Sequence, residues 1–323
     1  MRFCAALKFT YMLVSVQAFG SCLAQSYPNK PIRIIVPLAA GGSLDQAGRM
    51  LAEKMTTSLG QSVYVENRTG ASTDIGVGTL ARSAPDGYTI GMVPVGSVAT
   101  GTLVRKLPYD PLKDLAPISG VSKSGLVIVT GGSSLFKNMA DVIAEAKKRP
   151  GEVSFGSAGI GSSHHLAGEL LRLMANIDLL HVPYKGSSEA NVAVVAGQIH
   201  LAISGAAGST SLMRSGKLRA LAATDSKRIP GLPDIPTVGE TVPGYAGGAG
   251  GLSMFAPGGT PAEIINRLNA EVVRTLKLPD VLERLAKTGE EPDPTTPAEL
   301  GGLLRAEIEK WTNLVKTTGL KLN

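Results

Sequence analysis

Two short apolar runs in this chain each pass through a glycine-rich turn into a helical pattern, and this unit constrains the fold most. The first run, residues 32–36 (IRIIV), is typical of a buried strand. After the turn at residues 37–43, apolar side chains recur at the i, i+4 spacing of a helix: Ala47, Leu51, Met55 and Leu59. Strands that alternate with helices in this way predict an α/β fold with parallel strands.

The unit recurs, with its neighbours in the same order, in the second half of the chain. Three pairs of segments correspond: residues 40–55 with 158–174, 63–70 with 180–186, and 86–90 with 196–200. The repeat predicts two similar lobes. We place the first lobe at residues 26–125 plus 243–323 and the second at residues 126–242, because a strand at 126–129 leads into the second lobe and a proline-rich segment at 229–243 leads out.

The first residues indicate a secretory signal peptide at residues 1–24. Arg2 and Lys8 precede an apolar run at residues 9–19, and small residues follow up to Ala24. The run is shorter than the ~20 residues that a transmembrane helix needs. We therefore expect a protein that is exported to the periplasm and loses this leader.

Both cysteines, Cys4 and Cys22, lie in the leader, so we expect no disulfide and no thiolate metal ligand in the mature chain. The residues before Cys22 form a poor lipobox, and we expect no lipid anchor there. The formal net charge of +6 falls by two without the leader, basic residues are scattered, and aromatic residues make up only 4%. These features argue against nucleic-acid binding, and we expect a monomer.

The segment SAGIGSSHHLAGE at residues 157–169 holds serines and histidines of the kind that catalytic and metal sites use. No G-x-S-x-G elbow occurs in the chain, and no distinctive third group completes a catalytic triad. His164 and His165 are adjacent, so on a helix they point about 100° apart and cannot share one metal ion. The dinucleotide fingerprint G-x-G-x-x-G is broken at His164. We therefore expect no enzyme activity, no metal and no cofactor.

Glycines and serines at a helix start suit the binding of an anion. Glycine lets the backbone come close to a ligand, and the first four N–H groups of a helix have no partners inside it. The aligned peptide dipoles favour a carboxylate at this position. Either loop alone is compatible with an ordinary strand-to-helix turn and a capping serine, but two matched loops that face each other predict a clamp for an organic acid.

The tetrapeptide Thr-Pro-Ala-Glu occurs twice, at residues 260–263 and 296–299. Each copy predicts a helix start with Thr as N-cap, Pro at the first helical position and Glu closing a capping box. The second helix carries an apolar stripe that ends at Trp311, so we expect this tryptophan in the core.

Many short motifs, in one order over nearly the whole mature chain, resemble the periplasmic solute-binding proteins of tripartite tricarboxylate transporters, the Bug family. They are YPNKPIR at residues 27–33, VPLAAGGSLD at 36–45, ENRTGA at 66–71, DGYT at 86–89, LPYDP at 107–111, SAGIGSSHHLAGE at 157–169, VPYKG at 182–186, GKLRALA at 216–222 and APGGTP at 256–261. The resemblance implies a type II periplasmic-binding-protein fold. Two α/β domains, each a mixed sheet flanked by helices, are then expected to close a cleft on a carboxylated metabolite and deliver it to membrane permease subunits.

The resemblance also implies which residues bind the ligand. In the family the loop after the first strand holds a carboxylate largely through backbone groups and ordered waters. We expect a ligand-binding set of Leu38, Ala39, Gly41, Gly42, Asp45, Ser72, Thr73, Ser97, Ser157, Ala158, Gly161, Ser162, Ser163, His165, Tyr184 and Ser204, of which Ser72, Thr73 and Ser204 stand where this chain departs from the family pattern. For His165 and Tyr184, support of the loops from behind is an equally good interpretation.

One departure from the family pattern bears on the ligand. Many members carry Asp after the strand at residues 201–203, and this chain has Ser204. A serine cannot pair with a ligand ammonium, so we expect a dicarboxylate, hydroxy acid or aromatic acid rather than an amino acid. Two other functions stay open at this point: an exported hydrolase or isomerase of small acids, and a ligand-sensing adaptor for a membrane histidine kinase.

Overall fold

The computed structural model describes residues 27–123, 125–248, 251–288 and 290–318. The predicted leader at residues 1–24, with Cys4 and Cys22, lies outside the described residues. The strands are β1 (Ile32–Val36), β2 (Val63–Asn67), β3 (Thr89–Pro94), β4 (Leu115–Lys123), β5 (Leu126–Gly131), β6 (Ser154–Ser157), β7 (Leu180–Pro183), β8 (Leu201–Gly205), β9 (Leu218–Ala223), β10 (Gly251–Pro257) and β11 (Glu291–Pro292).

The α-helices are α1 (Ser43–Leu59), α2 (Asp74–Ala81), α3 (Val95–Val104), α4 (Met139–Lys148), α5 (Ser163–Ala175), α6 (Ser187–Val195), α7 (Ala206–Arg214), α8 (Ala262–Leu276), α9 (Pro279–Thr288) and α10 (Pro297–Thr318). Two short 3-10 helices lie at Ala71–Thr73 and Val238–Glu240. Within the described residues, no helix combines the length and the apolar character that crossing a membrane requires.

The strands form two mixed sheets with the same arrangement. In the first sheet, of order β11-β4-β10-β3-β1-β2, strand β1 is parallel to β2 and β3, whereas β10 is antiparallel to β3 and β4. In the second, of order β7-β6-β8-β5-β9, strand β6 is parallel to β7 and β8, whereas β5 is antiparallel to β8 and β9. The order β2-β1-β3 is thus matched by β7-β6-β8, as the internal repeat predicts.

Strands β5 and β10 give the two sheets their mixed character, as the family resemblance implied. Each of them enters its sheet directly from the other lobe, without the crossover helix that a parallel neighbour requires, and each runs antiparallel. The predicted domain boundaries at residues 125/126 and 242/243 fall in the two segments that join the sheets, between β4 and β5 and between β9 and β10. The division itself stays a prediction.

Alternating side chains of the central strands bury both faces of each sheet. Ile34 packs with Leu51 of α1 and Leu268 of α8, while its neighbour Ile35 packs on the opposite face with Leu80 of α2. These five side chains are at most 1% exposed, and truncating a buried leucine to alanine costs about 2–5 kcal/mol. The layered core therefore holds the carboxyl ends of the strands, and the loops that follow them, in fixed positions.

The two Thr-Pro-Ala-Glu segments behave differently, although their sequences are identical. At α10 the capping box forms as predicted, because the Thr296 N–H donates to the Glu299 carboxylate and the Glu299 N–H donates to the Thr296 hydroxyl. At α8 it does not: Pro261 takes the N-cap position, and the Thr260 hydroxyl donates to the Pro257 carbonyl.

Helix α10 ends against both lobes. Trp311 is fully buried, as predicted, and packs in a small cluster with Ala99 of α3 and Leu166 of α5. Its indole N–H donates to the Glu307 carboxylate over 2.8 Å. Because α3 follows a strand of the first sheet and α5 follows a strand of the second, this side chain packs against both lobes.

Candidate ligand site between the two lobes

A cavity of about 40 Å³ lies between the lobes, beyond the carboxyl ends of the central strands. Its lining comes from both lobes and consists of Leu38, Ala39, Gly42, Ser43, Leu44, Pro94, Leu126, Ser163, His164, Gly186, Ser187, Gly205, Gly251 and Leu252. The apolar residues form one part of the wall, and small or hydroxylic residues form most of the rest. None of the described lining residues is an acid, a lysine or an arginine.

Five helices begin at this cavity. The lining includes the first residues or the N-cap of α1, α3, α5, α6 and α7. A helix start presents unpaired N–H groups and the positive end of the helix dipole. Their convergence makes the cavity attractive to negative charge although no lysine or arginine among the described residues lines it.

The first loop, residues 37–42, is shaped by Asp45 from behind. The buried Asp45 carboxylate accepts hydrogen bonds from the Gly41 N–H (3.0 Å), the Arg49 guanidinium (2.9 Å) and the Asn67 amide (2.9 Å). Burial acts to raise the pKa of Asp45, but these hydrogen bonds outweigh it and hold that pKa below its ordinary value. Gly41 adopts a φ of +84°, which only glycine takes without strain.

The second loop, residues 158–162, is held by its own hydroxyl groups. The Ser162 hydroxyl donates to the Gly159 carbonyl (2.7 Å) and accepts from the His165 N–H (3.2 Å), so it caps α5. The Ser157 hydroxyl also lies within 3.0 Å of the Gly159 N–H. Gly161, at φ +77°, donates its N–H to Nδ1 of His165 over 3.1 Å.

The two adjacent histidines of α5 have different surroundings. His165 faces the interior of the second lobe, where its ring stacks on His181 at a centroid distance of 4.1 Å and its Nε2 lies 3.6 Å from Glu169. His164 lines the cavity and is 7% exposed. Its buried Nδ1 has no hydrogen-bond partner in the part of the chain that the structure describes. Burial lowers the pKa of His164 to about 4, so its ring is neutral at neutral pH.

The first loop contacts the second lobe closely. The Gly208 N–H of α7 donates to the Ser43 hydroxyl over 3.0 Å, and the Ser188 hydroxyl donates to the Ala40 carbonyl over 3.1 Å. A side chain on Gly186 would begin 3.0 Å from the Ala39 Cβ. We call this contact between the first loop and the second lobe the first seam, and its small residues allow it to close.

The second loop contacts the first lobe through similar hydrogen bonds, and we call this contact the second seam. The Ser72 and Thr100 hydroxyls donate to the carbonyls of Ile160 (2.5 Å) and Gly161 (2.8 Å), and the Ser163 N–H donates to the Ser97 hydroxyl (3.3 Å). The two predicted loops thus lie on one cleft and each contacts the opposite lobe.

The predicted site residues fall into three groups in the structure. Four line the cavity: Leu38, Ala39, Gly42 and Ser163. Others shape the loops or the seams, namely Gly41, Asp45, Ser72, Ser97, Gly161 and Ser162. Ser157, Ala158, His165, Tyr184 and Ser204 lie within the second lobe, and Thr73 is buried in the first.

Ser204 is occupied inside the second lobe. Its buried hydroxyl accepts from the Asn191 amide over 3.0 Å and from the Ser209 hydroxyl over 2.9 Å. Tyr184 is half-buried and packs with Ala190 and Ile199. Neither is among the residues that line the cavity.

The expected ligand-binding set lacks ten lining residues: Ser43, Leu44, Pro94, Leu126, His164, Gly186, Ser187, Gly205, Gly251 and Leu252. A signal existed for Gly186 and Ser187, which follow a strand and begin a helix as the two chosen loops do. Pro94 and Gly205 immediately precede helices at strand ends, with no intervening loop to mark them.

Ser157 and His181 form a pair that resembles a nucleophile and its base, with 2.6 Å between Oγ and Nε2. Ser157 is fully buried, and its hydroxyl also lies 3.0 Å from the Gly159 N–H. The pair instead ties strand β6 to β7 beneath the second loop. Among the described residues no group of three or more His, Cys, Asp or Glu is placed to hold a metal ion.

Two α/β lobes that meet over a cavity ringed by helix starts define a two-lobed solute-binding protein. The structure of the periplasmic binding protein BugD superposes on this chain with a TM-score of 0.86 at 33% identity, covering 91% of this chain and 99% of BugD. The predicted fold class is confirmed.

The family is shown by sequence. The model of the tripartite tricarboxylate transporter family receptor, TctC, matches residues 47–320. Protein BugT of Bordetella pertussis is 38% identical over 303 residues, which is 93% of this chain and 92% of BugT. This chain belongs to the TctC family, and the resemblance seen in its motifs is confirmed.

Two similar structures contain carboxylates. R. palustris Rpa4515 with adipate has a TM-score of 0.87 at 33% identity, covering 91% of this chain and 99% of that one. MatC from Rhodopseudomonas palustris with bound malate has a TM-score of 0.84 at 30% identity, covering 90% and 100%. These family neighbours are binding proteins.

Proposed function

We propose that this protein captures a small organic carboxylate between its lobes in the periplasm and delivers it to the membrane permease subunits of a tripartite tricarboxylate-type transporter. The convergence of five helix starts on one cavity carries the proposal. Each start stabilises a carboxylate by about 0.3–1 kcal/mol when exposed and up to ~2 kcal/mol when partly buried. The adipate and malate complexes of the two relatives support the same ligand class.

The lobes must separate to admit such a ligand. The cavity of about 40 Å³ is far smaller than the ~300–1,000 Å³ of typical small-molecule sites. The contacts across the seams include hydrogen bonds between hydroxyl and backbone groups, beside one from the Arg105 guanidinium to the Ile160 carbonyl. Opening therefore exposes groups that water can satisfy, and a bound ligand shifts the population back toward closure.

The ligand is an acid without an ammonium group. None of the described lining residues carries a carboxylate that would pair with an ammonium, and the hydroxyl of Ser204 is occupied by Asn191 and Ser209. Burying an unpaired ammonium is strongly unfavourable. Calorimetry with succinate, malate and adipate beside aspartate and glutamate tests this point, and tight binding of an amino acid with the other acids silent would contradict it.

The charge requirement is tested with adipate and its uncharged diamide, adipamide, in a thermal-shift assay. A ligand at 100 times its Kd stabilises the native state by ~2.7 kcal/mol, which such an assay detects. We expect a shift with adipate or another acid of the panel and none with the matching amide. Equal shifts with acid and amide would refute anion recognition by helix starts.

A matched pair of glycines tests where the ligand binds. Gly41 and Gly197 both have positive φ, both leave open space at the Cβ position, and each donates one N–H hydrogen bond of 3.0 Å. Proline removes that hydrogen bond and cannot adopt positive φ, so both variants carry a similar folding cost. We expect Gly41→Pro to lose acid binding and Gly197→Pro to keep it. Retained binding in Gly41→Pro would place the site elsewhere.

Two further questions need separate tests: whether the protein converts its ligand, and which membrane protein is its partner. If the protein is a binder, NMR of an acid after long incubation shows the ligand unchanged, whereas a hydrolase or isomerase converts it. Uptake by vesicles that contain the permease subunits, measured with and without this protein, distinguishes transport from signalling to a histidine kinase.

A further inference from the structure

His164 stands apart from the other groups at the cavity. It is the second residue of α5, it lines the cavity, and only 7% of it is exposed. Its Nδ1 is buried without a hydrogen-bond partner among the described residues. Buried polar atoms are nearly always hydrogen-bonded, so an unpaired ring on the cavity wall indicates a polar partner among the cavity contents.

The neighbouring His165 shows what a structural histidine looks like in the same helix. Its Nδ1 accepts from the Gly161 N–H, and its ring stacks on His181. His165 therefore holds the second loop in place, whereas His164 has no such task within the described residues. The two side chains leave the helix about 100° apart, which separates the two roles.

The chemistry of the lining limits what His164 can recognise. The ring is neutral at neutral pH because burial lowers its pKa to about 4, and the described lining residues offer no charged side chain. The helix starts attract the carboxylate of the ligand. A neutral imidazole pairs with an oxygen group elsewhere on the ligand, as donor or acceptor according to its tautomer.

We propose that His164 is a specificity-determining residue, which hydrogen-bonds a second oxygen group of the carboxylate ligand and so favours hydroxy acids and diacids over plain monocarboxylates. This inference rests on the proposed function, because it assumes that an organic acid enters the cavity. A hydroxyl suits the neutral ring best, since a hydroxyl pairs with either tautomer, whereas a carboxylate only accepts and brings a second charge into a cavity without a cationic side chain among its described lining residues.

The test uses three acids of one length: hexanoate, 6-hydroxyhexanoate and adipate. One neutral hydrogen bond contributes about 5- to 10-fold in affinity, so calorimetry should show 6-hydroxyhexanoate binding tighter than hexanoate by that factor. In His164→Leu, the two should bind alike, with hexanoate unaffected. His164→Gln, which keeps a hydrogen-bonding side chain, should restore part of the preference.

The unliganded His164→Leu protein provides a second measurement. Leucine removes a buried unpaired nitrogen at similar volume, so the variant should unfold about 2 °C higher than the parent, rather than lower. This outcome shows that the lost discrimination does not come from misfolding.

Three outcomes would overturn the inference. If His164→Leu keeps the preference for 6-hydroxyhexanoate, another group hydrogen-bonds the second oxygen of the ligand. If it weakens all three acids equally, His164 only shapes the cavity or holds a water molecule. If no acid of the panel binds the parent protein, the proposed function fails and the inference fails with it; in the first two outcomes the proposed function stands.

Discussion

Replacing Gly208 should raise the stability of the free protein and lower its affinity for ligand. Gly208 lies in α7, and its N–H donates to the Ser43 hydroxyl across the first seam. A Cβ at this position would lie 3.2 Å from the Ser43 nitrogen and 3.3 Å from the Gly42 Cα. Both distances are shorter than the 3.4–4 Å of ordinary van der Waals contact. The two contacted atoms are backbone atoms of the first loop, which is held by Asp45 and cannot easily move aside.

The two effects of Gly208→Ala have opposite signs. Alanine is about 1 kcal/mol more favourable than glycine inside a helix, and this gain is expressed when the lobes are apart. In the closed form the added methyl group overpacks the seam, which costs about 1–3 kcal/mol. Because 1.4 kcal/mol corresponds to a tenfold change, the affinity should fall by about 5- to 150-fold.

Gly302 provides the matched control. It is also a helical glycine, in α10, and no atom lies within 4 Å of its Cβ position. Gly302→Ala should therefore gain the helix stabilisation and leave binding unchanged. The assays are urea unfolding of the free proteins and calorimetric titration with the acid identified by the screen.

A graded series makes the test decisive. Gly208→Leu adds further atoms at the seam and should bind more weakly than Gly208→Ala. If both Gly208 variants bind like the parent, the liganded protein does not close with α7 against the first loop. That result would refute closure at the seam as the origin of affinity.

Three further predictions concern single side chains. Burial opposes protonation of His164 and lowers its pKa from 6.5 to about 4, so the free energy of unfolding should fall by about 3 kcal/mol as the pH falls from 6.5 toward 4; urea unfolding between pH 7.5 and 4.5 should show a larger loss in the parent than in His164→Leu, which keeps the loss due to the similarly lowered pKa of His181, and parallel curves would contradict this. Ligand that draws the lobes together should change the emission of Trp311, the single tryptophan, and unchanged fluorescence at saturating ligand would show that its contacts do not respond to closure. Asp45→Ala releases one donor of the first loop, Gly41, and two donors behind it, Arg49 and Asn67, and should cost about 2–3 kcal/mol by urea unfolding. Asp86→Ala, which removes the exposed ion pair with Lys30 and one hydrogen bond from the Tyr88 N–H, should cost less, and equal losses would mean that Asp45 does not organise the loop.

The periodicity of apolar residues, the glycine turns and the order of the motifs are local properties, and they were sufficient for the α/β class, the two similar lobes and the family. The loop of residues 37–42 and the loop of residues 158–162 could be found for the same reason: each sits between a strand and a helix within a dozen residues of chain. The capping box at Thr296 also follows from local sequence, yet the same tetrapeptide at Thr260 does not form one, because its hydroxyl turns to the Pro257 carbonyl.

Which side chains face the cavity was decided by tertiary structure. The lining combines helix starts that lie far apart along the chain, and only the placement of one lobe on the other brings them within reach of one ligand. His164 and His165 look equivalent in the sequence, and a rotation of about 100° along α5 separates them. His165 is enclosed by His181 and Gly161 of its own lobe, whereas His164 lines a cavity that exists only because the first lobe lies across the cleft.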